Sequence, residues 1–188
     1  MVDDRKSRAP ARWRRLLLLG FVGGGSVACD LQTKAWAWDN LRDGDTVSVI
    51  DPLLELKFAF NTGSAFSIVR EGEWAHTLFV IFAFAALAWM IYAAFTMPTE
   101  RRLGFVALGL IASGTIGNLH DRLFRFDELG RPGVVDFMKI NYPWGGSWPV
   151  FNVADVALLV GVGLLLLTAW RRGPASAAPE PARVQHGT

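Results

Sequence analysis

A chain of 188 residues, 52% of them apolar, has room for one domain, and its single cysteine excludes a disulfide-stapled scaffold. A formal charge of +2, from 19 basic and 17 acidic residues, is too small to mark a nucleic-acid binder. The three histidines, His76, His120 and His186, stand far apart and give no metal-ligand spacing, so neither metal nor cofactor is expected.

Met1 to about Pro10 reads as a disordered basic tail, and 1–15 as a cytoplasmic segment carrying Arg5, Lys6, Arg8, Arg12, Arg14 and Arg15. The first span follows at 16–36; about 20 apolar residues suffice to cross a bilayer. Its Ser26-Val27-Ala28-Cys29 resembles a weak lipobox, the cleavage sequence of bacterial lipoproteins. A cleaved leader has one apolar segment, however, and this chain has three more, so Cys29 is expected to pack between helices instead. Asp45–Asp51 and Leu54–Phe60 alternate at a period of two around Asp51-Pro52, which predicts a hairpin with one apolar face. Spans two, three and four are expected at 75–97, 103–120 and 151–170, and Val134–Ile140 could add a strand between the last two. From Gly173 the chain is rich in proline and alanine and reads as a disordered tail, giving a single domain over 16–170 and a tail over 171–188.

Basic residues cluster at the N-terminus, at Arg101-Arg102 and at Arg171-Arg172. By the positive-inside rule both termini are cytoplasmic, and loops 37–74 and 121–150 face outward. Trp36, Trp38, Trp144 and Trp148 then fall near the outer boundary as an aromatic belt.

Ionisable residues inside spans are costly and are functional candidates by default. Here Asp30, Lys34, Asn118, Asp121, Arg122, Asn152 and Asp155 all fall toward the outer ends of their spans, and Asp136 lies in the loop feeding the fourth. Asp30 and Lys34 are spaced to neutralise each other on one helix face. Asp121 and Arg122 read as interface or pairing residues. Asn118 and Asn152 can bond between helices, and Ser113 and Gly117 permit close packing. Asn61-Thr62-Gly63-Ser64-Ala65 has the chemistry of a turn or helix cap. Asp155 has no basic residue one turn away, so it must find a partner elsewhere or stay protonated; a second carboxylate, Asp136 or Asp30, would share one proton with it.

Five stretches carry a resemblance: Asp30-Leu-Gln-Thr33-Lys34; Asn61-Thr-Gly63-Ser-Ala65-Phe66; Gly114-Thr-Ile-Gly117-Asn118-Leu-His-Asp121-Arg122; Val134-Val135-Asp136-Phe137; and Phe151-Asn152-Val-Ala154-Asp155. Together, in this order, they resemble the lipoprotein signal peptidases of bacteria across most of 16–170. The resemblance implies a membrane α-helical fold with four transmembrane helices, a small extracytoplasmic β-cradle and a short outer helix after Asn61. It implies an intramembrane aspartyl endopeptidase that removes signal peptides from diacylglyceryl-modified prolipoproteins, on the N-terminal side of the lipidated cysteine. Asp136 and Asp155 are then the catalytic pair. Asp30, Lys34, Asn61, Gly63, Ala65, Asn118, Asp121, Arg122, Asn152 and Ala154 bind substrate or support the site. The implied partners are prolipoprotein substrates and membrane lipids, with the chain expected to act as a monomer in the bacterial inner membrane. Leu31, Ser64 and Ser113 depart from the usual motif residues without removing a carboxylate. The rival reading from the residues, a proton-coupled transporter, lacks an ionisable ladder across the bilayer.

Overall fold

The computed structural model describes residues 4–63 and 73–170, with side chains over 11–63 and 76–170. In chain order these form α1 (Asp4–Leu41), β1 (Thr46–Ile50), β2 (Leu54–Asn61), α2 (Glu73–Thr96), α3 (Arg102–Phe124), β3 (Val134–Ile140) and α4 (Val153–Trp170). The four helices are long and apolar enough to cross a membrane. The expected short helix after Asn61 and the tail from 171 lie outside the described residues.

Two helices depart from their expected bounds by more than two residues. α1 begins at Asp4, inside the stretch read as a disordered tail, and continues to Leu41, five residues past the expected end of span one. Arg and Lys are good helix formers, so a basic N-terminus can extend an apolar helix. At the far end Ala37 and Leu41 are buried under the sheet, which holds the last turn in place. α3 likewise runs four residues beyond its expected end, because Asp121 is fully buried against partners rather than marking the water boundary.

α3 is the central helix, packing on α1 and α4 and less closely on α2. Its contacts with its neighbours depend on small residues. A Cβ on Gly114 would fall onto the Ala154 carbonyl oxygen and Leu158, and one on Gly117 onto the Asp30 carboxylate. Gly114→Ala should therefore force α3 and α4 apart and lower stability by about 1–3 kcal/mol, as overpacking does; thermal unfolding in detergent against the parent measures it. Cys29 does not share this role: it lies exposed on α1, so the expected packing function is corrected.

α2 is held unevenly. Among its described side chains only Met90 and Ala94 are buried, in a cluster with Leu108 near its C-terminal end. There the Arg12 guanidinium donates to the carbonyls of Ala94 and Phe95, and Arg15 donates to that of Thr99. The Arg12 bonds satisfy carbonyls that the helix end leaves without intrahelical partners, the Arg15 bond holds the turn that follows, and cations at this end favour the helix dipole. Toward its start Phe79, Ile81, Phe82 and Phe84 are exposed.

The three strands form one antiparallel sheet in the order β1-β2-β3. One face packs on α1: Leu56, Phe58 and Phe60 from β2, with Val135 and Phe137 from β3, close over Ala37, Trp38 and Leu41. Trp38, partly buried, meets Phe58 and Phe60 edge-on at 5.7 Å beneath the sheet. The apolar face expected of the hairpin is thus complete on β2, while Val47 and Val49 on β1 stay exposed.

Candidate active site

Alternation along β3 decides which way Asp136 points. Val135 and Phe137 are buried against α1, so the side chain between them projects from the opposite face. Asp136 is 4% exposed there, and both of its oxygens are occupied. Asn61 Nδ2 donates to Oδ2 at 3.0 Å, and Asn152 Nδ2 donates to Oδ1 at 2.6 Å. Asn61 is itself fixed, because its Oδ1 accepts the Gly63 N–H at 3.0 Å. Gly63 adopts φ +108°, a conformation that disfavours side chains.

Asp155 enters from the first turn of α4. Asn152 and Asp155 form a reciprocal cap: the Asp155 N–H donates to Asn152 Oδ1 and the Asn152 N–H donates to Asp155 Oδ2, each at 3.0 Å. The pattern Asn-x-x-Asp therefore starts the helix and aims the carboxylate in one device. Asn118 Nδ2 on α3 donates to the other oxygen, Oδ1, at 2.9 Å. Asn152, fully buried, consequently touches both carboxylates, Asp136 through its amide and Asp155 through its backbone.

The orientation of Asn118 follows from its neighbours. Its Oδ1 accepts from Lys34 Nζ at 2.8 Å and from Asn152 Nδ2 at 3.1 Å, which leaves Nδ2 for Asp155. Lys34 also pairs with Asp30 at 2.8 Å, the expected one-turn pair on α1, and lies 3.7 Å from Asp121. Asp30 Oδ1 accepts the Ala154 N–H at 2.8 Å and so binds the start of α4 to α1. Asp121 accepts the Val135 N–H at 3.0 Å and pairs with Arg125 at 3.0 Å, tying β3 to α3. Asp30, Lys34 and Asp121 are each at most 1% exposed. With Arg125 they balance two negative and two positive charges, the condition under which buried charge is tolerable.

Of the residues singled out in the sequence, Asp30, Lys34, Asn61, Gly63, Asn118, Asp121, Asp136, Asn152, Ala154 and Asp155 thus form one continuous network. Asp136 and Asp155 meet at Asn152, whereas Asp30 is bound to Lys34 and Ala154. Arg122 is adjacent, its guanidinium 4.7 Å over the Phe79 ring and its charge facing Asp136, Asp155 and Asp121. Ala65 lies outside the described residues. Arg125 was missed; its one-turn spacing from Asp121 was the available signal. A cavity of about 340 Å³ lined by Trp38, Arg42, Phe58 and Phe60 lies on the α1 face of the sheet, opposite Asp136, and no residue of the network lines it.

Burial raises the Asp136 pKa to about 6, and the nearby Asp155 charge adds to the rise, against the hydrogen bonds from Asn61 and Asn152 and the charge of Lys34. An acid with a raised pKa beside a second carboxylate is the electrostatic arrangement of a pair that divides acid and base roles.

Comparison with known proteins gives a consistent relationship. A family described as signal peptidase (SPase) II matches residues 22–171. A lipoprotein signal peptidase of Syntrophotalea carbinolica is 36% identical over 163 residues, covering 87% of this chain and 95% of that protein. Another, of Leifsonia xyli subsp. xyli, is 36% identical over 171 residues, covering 90% of this chain and 74% of that protein. A solved bacterial membrane enzyme superposes with a TM-score of 0.71 at 28% identity, covering 82% of this chain and 94% of its own.

Proposed function

Since the chain belongs to the signal peptidase II family, we propose that it is an aspartyl endopeptidase that cuts diacylglyceryl-modified prolipoproteins on the N-terminal side of the lipidated cysteine. The observation that carries the aspartyl reading is the pair Asp136 and Asp155, brought to one asparagine where β3 meets the start of α4. Both termini are cytoplasmic in this reading, and the sheet end of the bundle faces outward, where a lipid-anchored cysteine would lie.

Asp155, half-buried and aimed by its helix cap, takes a proton from water as the water oxygen adds to the scissile carbonyl carbon. Asp136, protonated, gives its proton to the carbonyl oxygen. Collapse of the tetrahedral intermediate breaks the C–N bond, the proton held by Asp155 passes to the leaving nitrogen, and Asp136 recovers its own from the hydroxyl. Asn61, Asn118 and Asn152 hold the two carboxylates in place without being able to accept or release protons themselves. Arg122 keeps a positive charge beside them.

The direct test incubates the purified protein in detergent with a diacylglyceryl-modified prolipoprotein and with its unmodified counterpart. Cleavage of the modified form before its cysteine is expected. An intact substrate, beside an active homologue in the same conditions, overturns the assignment.

The pH dependence follows from Asp136. Its proton is required in the mechanism, so kcat/KM should fall as pH rises through about 6, the free-enzyme value, forming the alkaline limb of a bell. Stability changes in the same sense. A carboxyl raised from 3.8 to about 6 by folding contributes most below 3.8 and loses that contribution as pH rises through about 6, a change of about 3 kcal/mol. Unfolding in detergent across this window, with Asp136→Asn as the variant lacking the titration, measures it.

A further inference from the structure

We propose that the tip of the β1–β2 hairpin and the loop between β3 and α4 form an anchor that inserts into the boundary between lipid headgroups and acyl chains. It would hold the sheet bearing Asp136 at a fixed depth. The two segments are one unit. Asn141 donates its N–H to the Leu53 carbonyl at 2.8 Å and its side-chain amide to that of Pro52 at 2.9 Å. Residues 140–152, Ile-Asn-Tyr-Pro-Trp-Gly-Gly-Ser-Trp-Pro-Val-Phe-Asn, contain no charged residue.

The loop is built, not slack. Tyr142 and Gly146 are joined by a 2.9 Å backbone bond, Gly145 donates back to Tyr142, and Trp148 donates to Ile140 at 2.8 Å. Gly145 and Gly146 adopt the positive φ that this turn requires. The frame displays Trp144, stacked on Tyr142 at 5.4 Å yet 81% exposed. Trp148, Ile50 and Leu53 are also exposed. Among the described residues, none covers this surface.

The occupant follows from position and chemistry. Phe151 exchanges backbone bonds with Met138 on β3, two residues before α4 begins, so the sheet is held close to where a spanning helix leaves the bilayer. Tryptophan favours that boundary, where its ring is buried and its N–H stays hydrated. A rigid, uncharged loop that presents Trp rings beside Ile50 and Leu53, with Asp51 as the one charge between them, matches the polar–apolar boundary of a lipid surface.

The test uses the full chain reconstituted in phosphatidylcholine vesicles whose acyl chains carry bromine either near the glycerol or near the bilayer centre. Subtracting the emission of a Trp144→Phe/Trp148→Phe variant isolates these two rings. The proposal expects a difference spectrum shifted to the blue of that in water and mostly lost with bromine near the glycerol, far less with bromine at the centre. Quenching should not change as the protein is diluted in lipid. A water-like difference spectrum that bromine leaves intact overturns it. Shielding that disappears on dilution also overturns it and identifies a second copy of the chain as the occupant.

Discussion

Asp136→Asn and Asp155→Asn are each expected to reduce kcat by about 10³-fold or more while the variants remain folded. General acid–base contributions are about 10²–10⁴-fold, and here one residue acts in more than one proton transfer. The substitutions are not silent isosteres. Both oxygens of each carboxylate accept: Asp136 from Asn61 and Asn152, Asp155 from Asn118 and from the Asn152 N–H. An amide offers one oxygen, so one donor in each variant must face an NH₂ group. That mismatch costs about 1–3 kcal/mol for a buried group. For Asp136 it is offset by removing a carboxylate that burial disfavours in its charged form. Single-turnover cleavage, with thermal unfolding in the same detergent, separates the effects. Near-parental cleavage by either folded variant removes that residue from the chemistry.

Lys34→Met is expected to have the largest effect on stability of the single changes considered. It leaves Asp30 and Asp121 buried with Arg125, the His120 ring at 3.5 Å from Asp121 and backbone donors between them, and breaking a buried pair costs about 3–5 kcal/mol. It also frees Asn118 Oδ1 from one of its two donors, which loosens the amide that holds Asp155. The double variant Asp30→Asn/Lys34→Met distinguishes these roles. Asparagine at 30 can still accept the Ala154 N–H through its oxygen, so the start of α4 keeps its anchor while one unpaired charge is gone. Unfolding in mixed micelles should show partial recovery of stability, and the cleavage rate should stay low because Asn118 remains unpinned. Equal recovery of both would assign Lys34 a structural role alone.

The spans and the strands were legible because they depend on local pattern: long uncharged runs, and a period of two between turn residues. The boundaries were not, because they depend on tertiary burial. Leu41 and Asp121 extend their helices only because the sheet and the ion cluster receive them. Asp30 and Lys34 were readable as a pair from one-turn spacing, but no spacing rule reveals that Asp30 also holds the Ala154 N–H, 124 residues away. Asp155 could be recognised as lacking a basic neighbour on its own helix. That Asp136, and not Asp30, meets it at Asn152 needed the strand alternation that turns Asp136 away from α1. Cys29 was misread because a small residue in a span is as compatible with a lipid-facing surface as with a helix contact.

Among the described residues the buried grip on α2 lies at its C-terminal end, which makes the helix a lever. Its clamp is the Met90–Ala94–Leu108 cluster with the Arg12 and Arg15 bonds, and toward its far end Phe79 meets the Arg122 guanidinium. Over a lever of about 30 Å, a tilt of about 5° at the clamp would move the far end through about 3 Å, with no hydrogen bond inside the helix broken. A small deflection at the arginine end would thereby be amplified at the contact between Phe79 and Arg122, whose charge faces the two carboxylates.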